Sequence, residues 1–279
     1  MFLDLGAHRF DITYRALVMG ILNRTPDSFF DAGQYWDFDD FLSKAEKLVD
    51  DGVDFLDVGG VKAGPGDEVD LQEELERVVP AVEALRRRFD VPISVDTWRA
   101  EVLRQCIETG ADIGNDISGF ADPDYLAVAA AGGASVVATH IRLAPRVPDP
   151  DPVYDDLVGD VRAFLDERAG RALTAGIPRE RIIIDAGLDL GKTPRMSWEL
   201  LHRSDALVDL GYPLLLSASN KRFLFELLET ERTDIESGTT AAHVIGIAKG
   251  CRVIRAHDVQ AGRRVADMMA EILAVRARA

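Results

Sequence analysis

Cysteine is nearly missing from this sequence: Cys106 and Cys251 are the two in 279 residues. One falls in a helical pattern and the other just after one. They read as inert buried thiols, not as a disulfide framework or a metal pair. Positive charge is also scarce, with 32 Lys and Arg against 48 Asp and Glu and a net charge of −16. Such a surface repels nucleic acid and anionic membrane, which excludes both as partners. Any anion site must be a local basic pocket against that background. No apolar run reaches the length of a membrane span. The start, Met1-Phe2-Leu3-Asp4-Leu5, has neither a basic region nor an apolar core of the kind that directs export. Linkers and low-complexity tracts are absent, so the expectation is one cytoplasmic domain over residues 1–279.

What is present is ample apolar material, 47% of residues, with 29% charged. Short apolar, β-branched runs recur at Leu17–Asn23, Asp54–Gly60, Pro92–Thr97, Ile113–Ser118, Ser135–His140, Ile182–Gly187, Leu214–Ser219 and Val253–Asp258. Each is bounded by turn residues and reads as a strand. Helical patterns lie between them: Phe38–Asp51, Leu71–Phe89, Ala100–Thr109, Asp155–Ala175, Trp198–Leu210 and the final Ala261–Arg278. Gly52, Gly110, Gly176 and Gly211 stand where helices should stop. Strand alternating with helix about eight times predicts an α/β fold, the (β/α)8 TIM barrel; a doubly wound sheet is the lesser alternative. The stretch Arg142–Val153, with four prolines, reads as a long loop after the fifth strand.

In such a barrel, chemistry collects where strands end. Asn23, Asp96, His140 and Asp185 close strands, Asn115 and Asp116 lie in one, and Lys221 follows one. Arg255 and His257 alternate in the last strand and so share a face. Singly, each has an ordinary structural explanation, such as a cap or a buried ion pair. Gathered at one rim, two carboxylates, an amide and a lysine suit a flat, amide-rich heterocycle. Carboxylates accept from ring N–H and amino groups, and lysine donates to a carbonyl or ring nitrogen. Asn23, Arg255 and His257 suit an adjoining anion, bare or metal-bound.

The stretches MGILNRTPDSFFDAG (19–33), ISVDT (93–97), NDIS (115–118), DAGLDLGK (185–192), SNK (219–221) and RAHD (255–258) closely resemble dihydropteroate synthase, in order and over nearly the whole chain. The resemblance implies a homodimeric (β/α)8 barrel. The family's reaction joins p-aminobenzoate to 6-hydroxymethyl-7,8-dihydropterin pyrophosphate and releases pyrophosphate with help from Mg²⁺. It assigns Asp96, Asn115, Asp185 and Lys221 to the pterin and Asn23 to Mg²⁺. Arg255 and His257 would bind pyrophosphate, and Ser219 would stand beside the aminobenzoate.

One loop departs from that pattern. GGVKAGPG (59–66) follows the second strand, where the family reads Gly-Glu-Ser-Thr-Arg-Pro-Gly. Val61, Lys62, Ala63 and Gly64 replace its four polar residues, leaving Ala63 and Gly64 without the expected threonine and arginine. Leu190 replaces an aromatic, Asp189 adds a carboxylate and Asn220 replaces another arginine. Preorganised donors stabilise a leaving pyrophosphate, and removing one typically costs about a hundred- to a thousandfold in rate. The leading expectation is therefore a divergent paralogue, inactive or severely impaired as a synthase, with a loose remnant of a catalytic lid at 60–66. A working synthase is the alternative. A pterin-barrel methyltransferase is a further one, which TPDSF and SNK argue against.

Overall fold

The structure is a computed structural model, described for residues 1–25, 38–64, 66–228 and 235–278. Residues 26–33 of the first motif, and Pro65 of the glycine-rich loop, lie outside the described residues. Eight parallel strands close into a barrel: β3 (Leu17–Asn23), β4 (Phe55–Gly59), β5 (Ile93–Asp96), β6 (Ile113–Asp116), β7 (Ser135–Thr139), β8 (Ile182–Asp185), β9 (Leu214–Leu216) and β10 (Val253–Ala256). Each lies within one of the eight apolar runs. The barrel closes where β10 pairs β3, Val253 opposite Leu17 and Ala256 opposite Gly20. A closed barrel rules out the doubly wound sheet, which has free edges.

The two strands before the barrel were not foreseen. β1 (Phe2–Leu5) and β2 (His8–Asp11) form an antiparallel hairpin. Leu3, Leu5 and Ile12 are fully buried beneath the barrel, against Leu17, Met19, Phe55 and Ile183. They plug its base. Four-residue strands carry too little pattern to stand out from loop sequence.

Helices α1 (Phe38–Asp50), α2 (Leu71–Arg88), α3 (Ala100–Thr109), α4 (Tyr125–Ala131), α5 (Leu157–Thr174), α6 (Pro194–His202), α7 (Ser204–Val208), α8 (Arg222–Leu228), α9 (Glu236–Ala248) and α10 (Val259–Arg278) surround the strands. Their local signals are conventional. Asp70 accepts from the Glu73 N–H at 2.8 Å to start α2. Gly110 ends α3 at φ +116°. The single helix expected over Trp198–Leu210 is instead two, broken at Arg203, and the first starts earlier because Thr193 caps it. None of the described helices is long and apolar enough to cross a membrane. Asp156 caps α5, its side chain accepting from the Gly159 N–H at 3.0 Å. Asp156→Ala is expected to cost about 1 kcal/mol, read as a lower urea midpoint with an unchanged slope.

Strand alternation builds the site. Inward positions run Leu17, Met19, Ile21, Asn23 on β3 and Phe55, Asp57, Gly59 on β4. They run Ser94, Asp96 on β5, Ile113, Asn115 on β6, Ile183, Asp185 on β8 and Val253, Arg255 on β10. Apolar residues fill the base and polar ones the upper layers. The outward positions, such as Val18, Leu56, Val95 and Ile254, meet the helices in the larger core.

Candidate active site

At the centre stands Arg255, gripped by two carboxylates. Its Nε donates to Asp57 Oδ2 at 2.7 Å and its Nη2 to Asp96 Oδ2 at 2.9 Å. Asp57 is fully buried and also accepts from Ser94 Oγ at 2.7 Å and Asn115 Nδ2 at 3.3 Å. One cation between two carboxylates leaves an excess negative charge. Burial, with Asp57 adding repulsion and Arg255 opposing it, pushes Asp96 up to about 7. Asp57 was not among the candidates. It sits inside the apolar run FLDVG, yet it lies two residues before the strand's last glycine and so on the inward face.

Asn23, Asp96, Ser219, Lys221, Arg255 and His257 line one cavity of about 230 Å³ at the strands' C-terminal mouth. Asn115 reaches it through Asp57. Asp185 ends β8 at the same barrel end as Asp96 ends β5, and its Oδ1 accepts from the Gly187 N–H at 2.8 Å. Burial raises its pKa, and Lys221 nearby opposes the rise. Lys221 Nζ donates to Leu188 O at 2.7 Å. Ser219 Oγ lies 3.0 Å from His257 Nδ1 and accepts from the His257 N–H at 3.2 Å. Gly59, between Asn23 and Asp96 in the sheet, keeps the gap clear: a Cβ there would stand 3.4 Å from Asn23 Oδ1. Among the described residues, no three His, Cys, Asp or Glu side chains cluster as a metal site.

Other polar residues of the rim serve the scaffold. Asp116 points outward, where it accepts from the N–H groups of Ser118 at 2.6 Å and Phe120 at 2.8 Å. Thr97 donates to buried Glu74 at 2.6 Å. His140 packs edge-on against Phe164, with ring centres 4.8 Å apart. Its Nδ1 lies 2.9 Å from Lys192 Nζ, which also donates to Gly187 O and Leu190 O, each at 2.9 Å. Burial and then Lys192 push His140 down to about 3, so its ring is neutral and Nδ1 accepts. Lys192 thereby staples the loop after β8. Asp189, the added carboxylate, accepts from Ser197 Oγ at 3.2 Å and the Phe223 N–H at 3.3 Å.

The described residues of the glycine-rich loop are tethered through their backbone. Arg77 Nη1 donates to Gly60 O at 2.8 Å. Arg146, from the proline-rich loop, donates its N–H to Ala63 O at 3.2 Å, Nη1 to Lys62 O at 3.4 Å and Nη2 to Asp67 O. These tethers act on backbone carbonyls, which no side-chain motif reports. Val61, Ala63 and Gly64 line the cavity without a side-chain donor.

Residues 19–257 match the family described as pterin binding enzyme. A dihydropteroate synthase of Synechocystis is 41% identical over 93% of this chain and 91% of its own length. This chain belongs to the dihydropteroate synthase family. A crystal structure of the Yersinia pestis dihydropteroate synthase in complex with a sulfonamide drug superposes with a TM-score of 0.94 and 36% identity, over 99% of this chain and 100% of that one. A family member from Mycobacterium leprae named inactive dihydropteroate synthase 2 is 42% identical over 94% of this chain and 92% of its own length. Several dihydropteroate synthases without that qualifier match to a similar degree. Kinship thus supports a working synthase at least as well as the inactive paralogue expected from the loop.

Proposed function

We propose that this chain binds a dihydropterin and catalyses the family's transfer, joining an aryl amine to the pterin methylene with loss of pyrophosphate. The observation that carries this reading is the Arg255 clamp between Asp57 and Asp96, beside Asn115, Asp185 and Lys221. The carboxylates would accept the heterocycle's N–H and amino groups, and Lys221 would donate to its carbonyl or ring nitrogen. The amine nitrogen would form the new bond as the carbon–oxygen bond to pyrophosphate breaks. Arg255 and His257 would hold the departing anion, and Ser219 would orient His257. Magnesium suits a site with few protein oxygens because it keeps water and substrate phosphates as ligands. Asn23 Oδ1 would hold it, and the ion would offset charge on the pyrophosphate.

A second reading, an inactive or severely impaired synthase that still binds pterin, is favoured by Val61, Ala63 and Gly64. Calorimetry with the pterin pyrophosphate and Mg²⁺, beside a turnover assay with p-aminobenzoate, separates the two. Binding with turnover of about 0.1–10 per second on general enzyme scales supports the first. Binding without turnover supports the second, and no pterin binding defeats both.

Asp96 gives this reading a pH signature. Its raised pKa makes the acceptor form scarce in mild acid. Affinity for 6-hydroxymethylpterin should rise about five- to tenfold from pH 6 to pH 7.5, followed by fluorescence. Asp96→Asn should bind weakly with a flat profile.

The homodimer belongs to the same proposal. Val244 and Ile245 on α9, and Met268, Ile272 and Val275 on α10, are exposed, whereas Ala242, Ile247 and Met269 turn to the core. The exposed set would pair with a second copy, and light scattering at micromolar concentration would read the mass. The cytoplasm, where two buried free thiols stay reduced, fits the same picture.

A further inference from the structure

A second cavity, of about 310 Å³, lies on the other side of the glycine-rich loop, between it and the loops after β7 and β8. Ala63 and Gly64 border both cavities. The partition there is backbone and one methyl group, and a Cβ built on Gly64 meets nothing within 4 Å.

The charges of this second cavity do not balance locally. Its acids are engaged: Asp149 takes a two-pronged contact from Arg142, with Nε 2.5 Å from Oδ2 and Nη2 2.5 Å from Oδ1. Asp189 is held by Ser197 and the Phe223 N–H. Of the cavity's basic residues, Arg222 pairs with Glu226 at 2.8 Å, whereas Arg146 and Lys192 form no ion pair among the described residues. The Arg146 guanidinium donates to the carbonyls of Lys62 and Asp67. Lys192 contacts carbonyls and neutral His140. In a chain of net charge −16, a cavity that holds the Arg146 guanidinium with no ion-paired partner is set up for an anion. Arg146 has φ +67°, a costly backbone state for a non-glycine residue, and its guanidinium keeps N–H groups beyond the two in use. Ile141, Val147 and Pro148 supply an apolar wall, suited to the carbon chain of an organic anion and superfluous for a bare phosphate.

We infer that this cavity binds the anionic tail of an elongated aryl-amine substrate, Arg146 taking the tail's carboxylate while the amine lies across Gly64 in the catalytic cavity. The aryl amine rests on the transferase reading above; the anion site rests on Arg146. Gly64 is then a specificity determinant, since a long side chain there would fill the passage between the cavities.

The test is calorimetry on the full chain, with 6-hydroxymethylpterin and magnesium pyrophosphate present. p-Aminobenzoate is titrated against N-(4-aminobenzoyl)-L-glutamate, which adds a dicarboxylate tail. The conjugate should bind about tenfold tighter or better, the worth of a charge-assisted hydrogen bond. Arg146→Ala should erase that preference, and the p-aminobenzoate titration of the same variant reports what is lost with the loop tethers to Lys62 and Asp67. Arg146→Lys, which keeps the charge and loses the fork, should recover only part of it. Equal affinity for the two amines in the unmodified chain would overturn the inference and leave the transferase reading standing. So would a preference that survives Arg146→Ala. If titration of pyrophosphate alone is weakened by Arg146→Ala as much as the conjugate is, Arg146 serves the leaving group and the tail site is refuted. If the pterin binds and neither amine does, the acceptor half of the transferase reading falls, and the tail site with it.

Discussion

Arg255→Met is expected to destabilise the barrel by about 3–5 kcal/mol at pH 8, the usual cost of stripping one partner from a buried ion cluster. Asp57 and Asp96 would then face each other across the barrel with no cation between them. Protonation relieves that repulsion, so the loss should shrink toward pH 5. The sign follows from linkage. A carboxyl whose folded pKa lies above its unfolded value keeps protons that the unfolded chain has released. Stability therefore falls as pH rises between the two values. Urea unfolding at pH 5, 6.5 and 8 measures the slope. Arg255→Met with Asp57→Asn should recover part of the loss, because one buried charge is removed with its counterion. A flat pH profile for the single variant would mean that water reaches the cluster and screens it. Pterin binding should disappear in both variants, since each dismantles the floor that aligns Asp96 and Asn115.

Rebuilding the loop with Val61→Glu, Lys62→Ser, Ala63→Thr and Gly64→Arg should raise kcat/KM for the transfer by about ten- to a hundredfold. One well-placed donor at developing charge is worth up to about a thousandfold, but Leu190 and Asn220 would still depart from the family's pattern. Arginine offers a planar, two-pronged donor set that lysine at position 62 does not. Tightening of the pterin pyrophosphate should account for more of the gain than faster turnover. Steady-state kinetics with the pterin pyrophosphate varied separates KM from kcat. A gain below threefold would mean that the native loop already supplies what the leaving group needs. No product from either protein would place the block elsewhere on the rim.

The barrel was legible because each strand is a short β-branched run and several helices stop at a glycine, both local signals. The helix break at Arg203 was not, because apolar spacing continues across it. Asn23, Asp96, Asn115, Asp185, Lys221 and Arg255 stood out as polar residues at strand ends. Asp57 was hidden by its neighbours: Phe55, Leu56 and Val58 made the run look purely apolar, although period-two alternation sets it on the face of Phe55 and Gly59. Arg146 could not be read from sequence at all. Its partners are carbonyl oxygens 79 to 84 residues away, and carbonyls leave no trace in residue identity. The pairing of Lys192 with His140 is similar, since each residue alone looks like an ordinary loop polar group.

The seam between β3 and β10 sets the order in which this molecule can come into being. Arg255 meets Asp57 and Asp96 across 198 and 159 residues of chain. Contacts that distant pay their loop-closure entropy last, which makes for slow folding. No stretch that stops short of β10 can assemble the clamp, whatever helices and strands it has already formed. Pterin binding therefore doubles as a certificate of completed folding. During refolding, ligand-binding competence should trail the recovery of far-ultraviolet circular dichroism and arrive with the last strand.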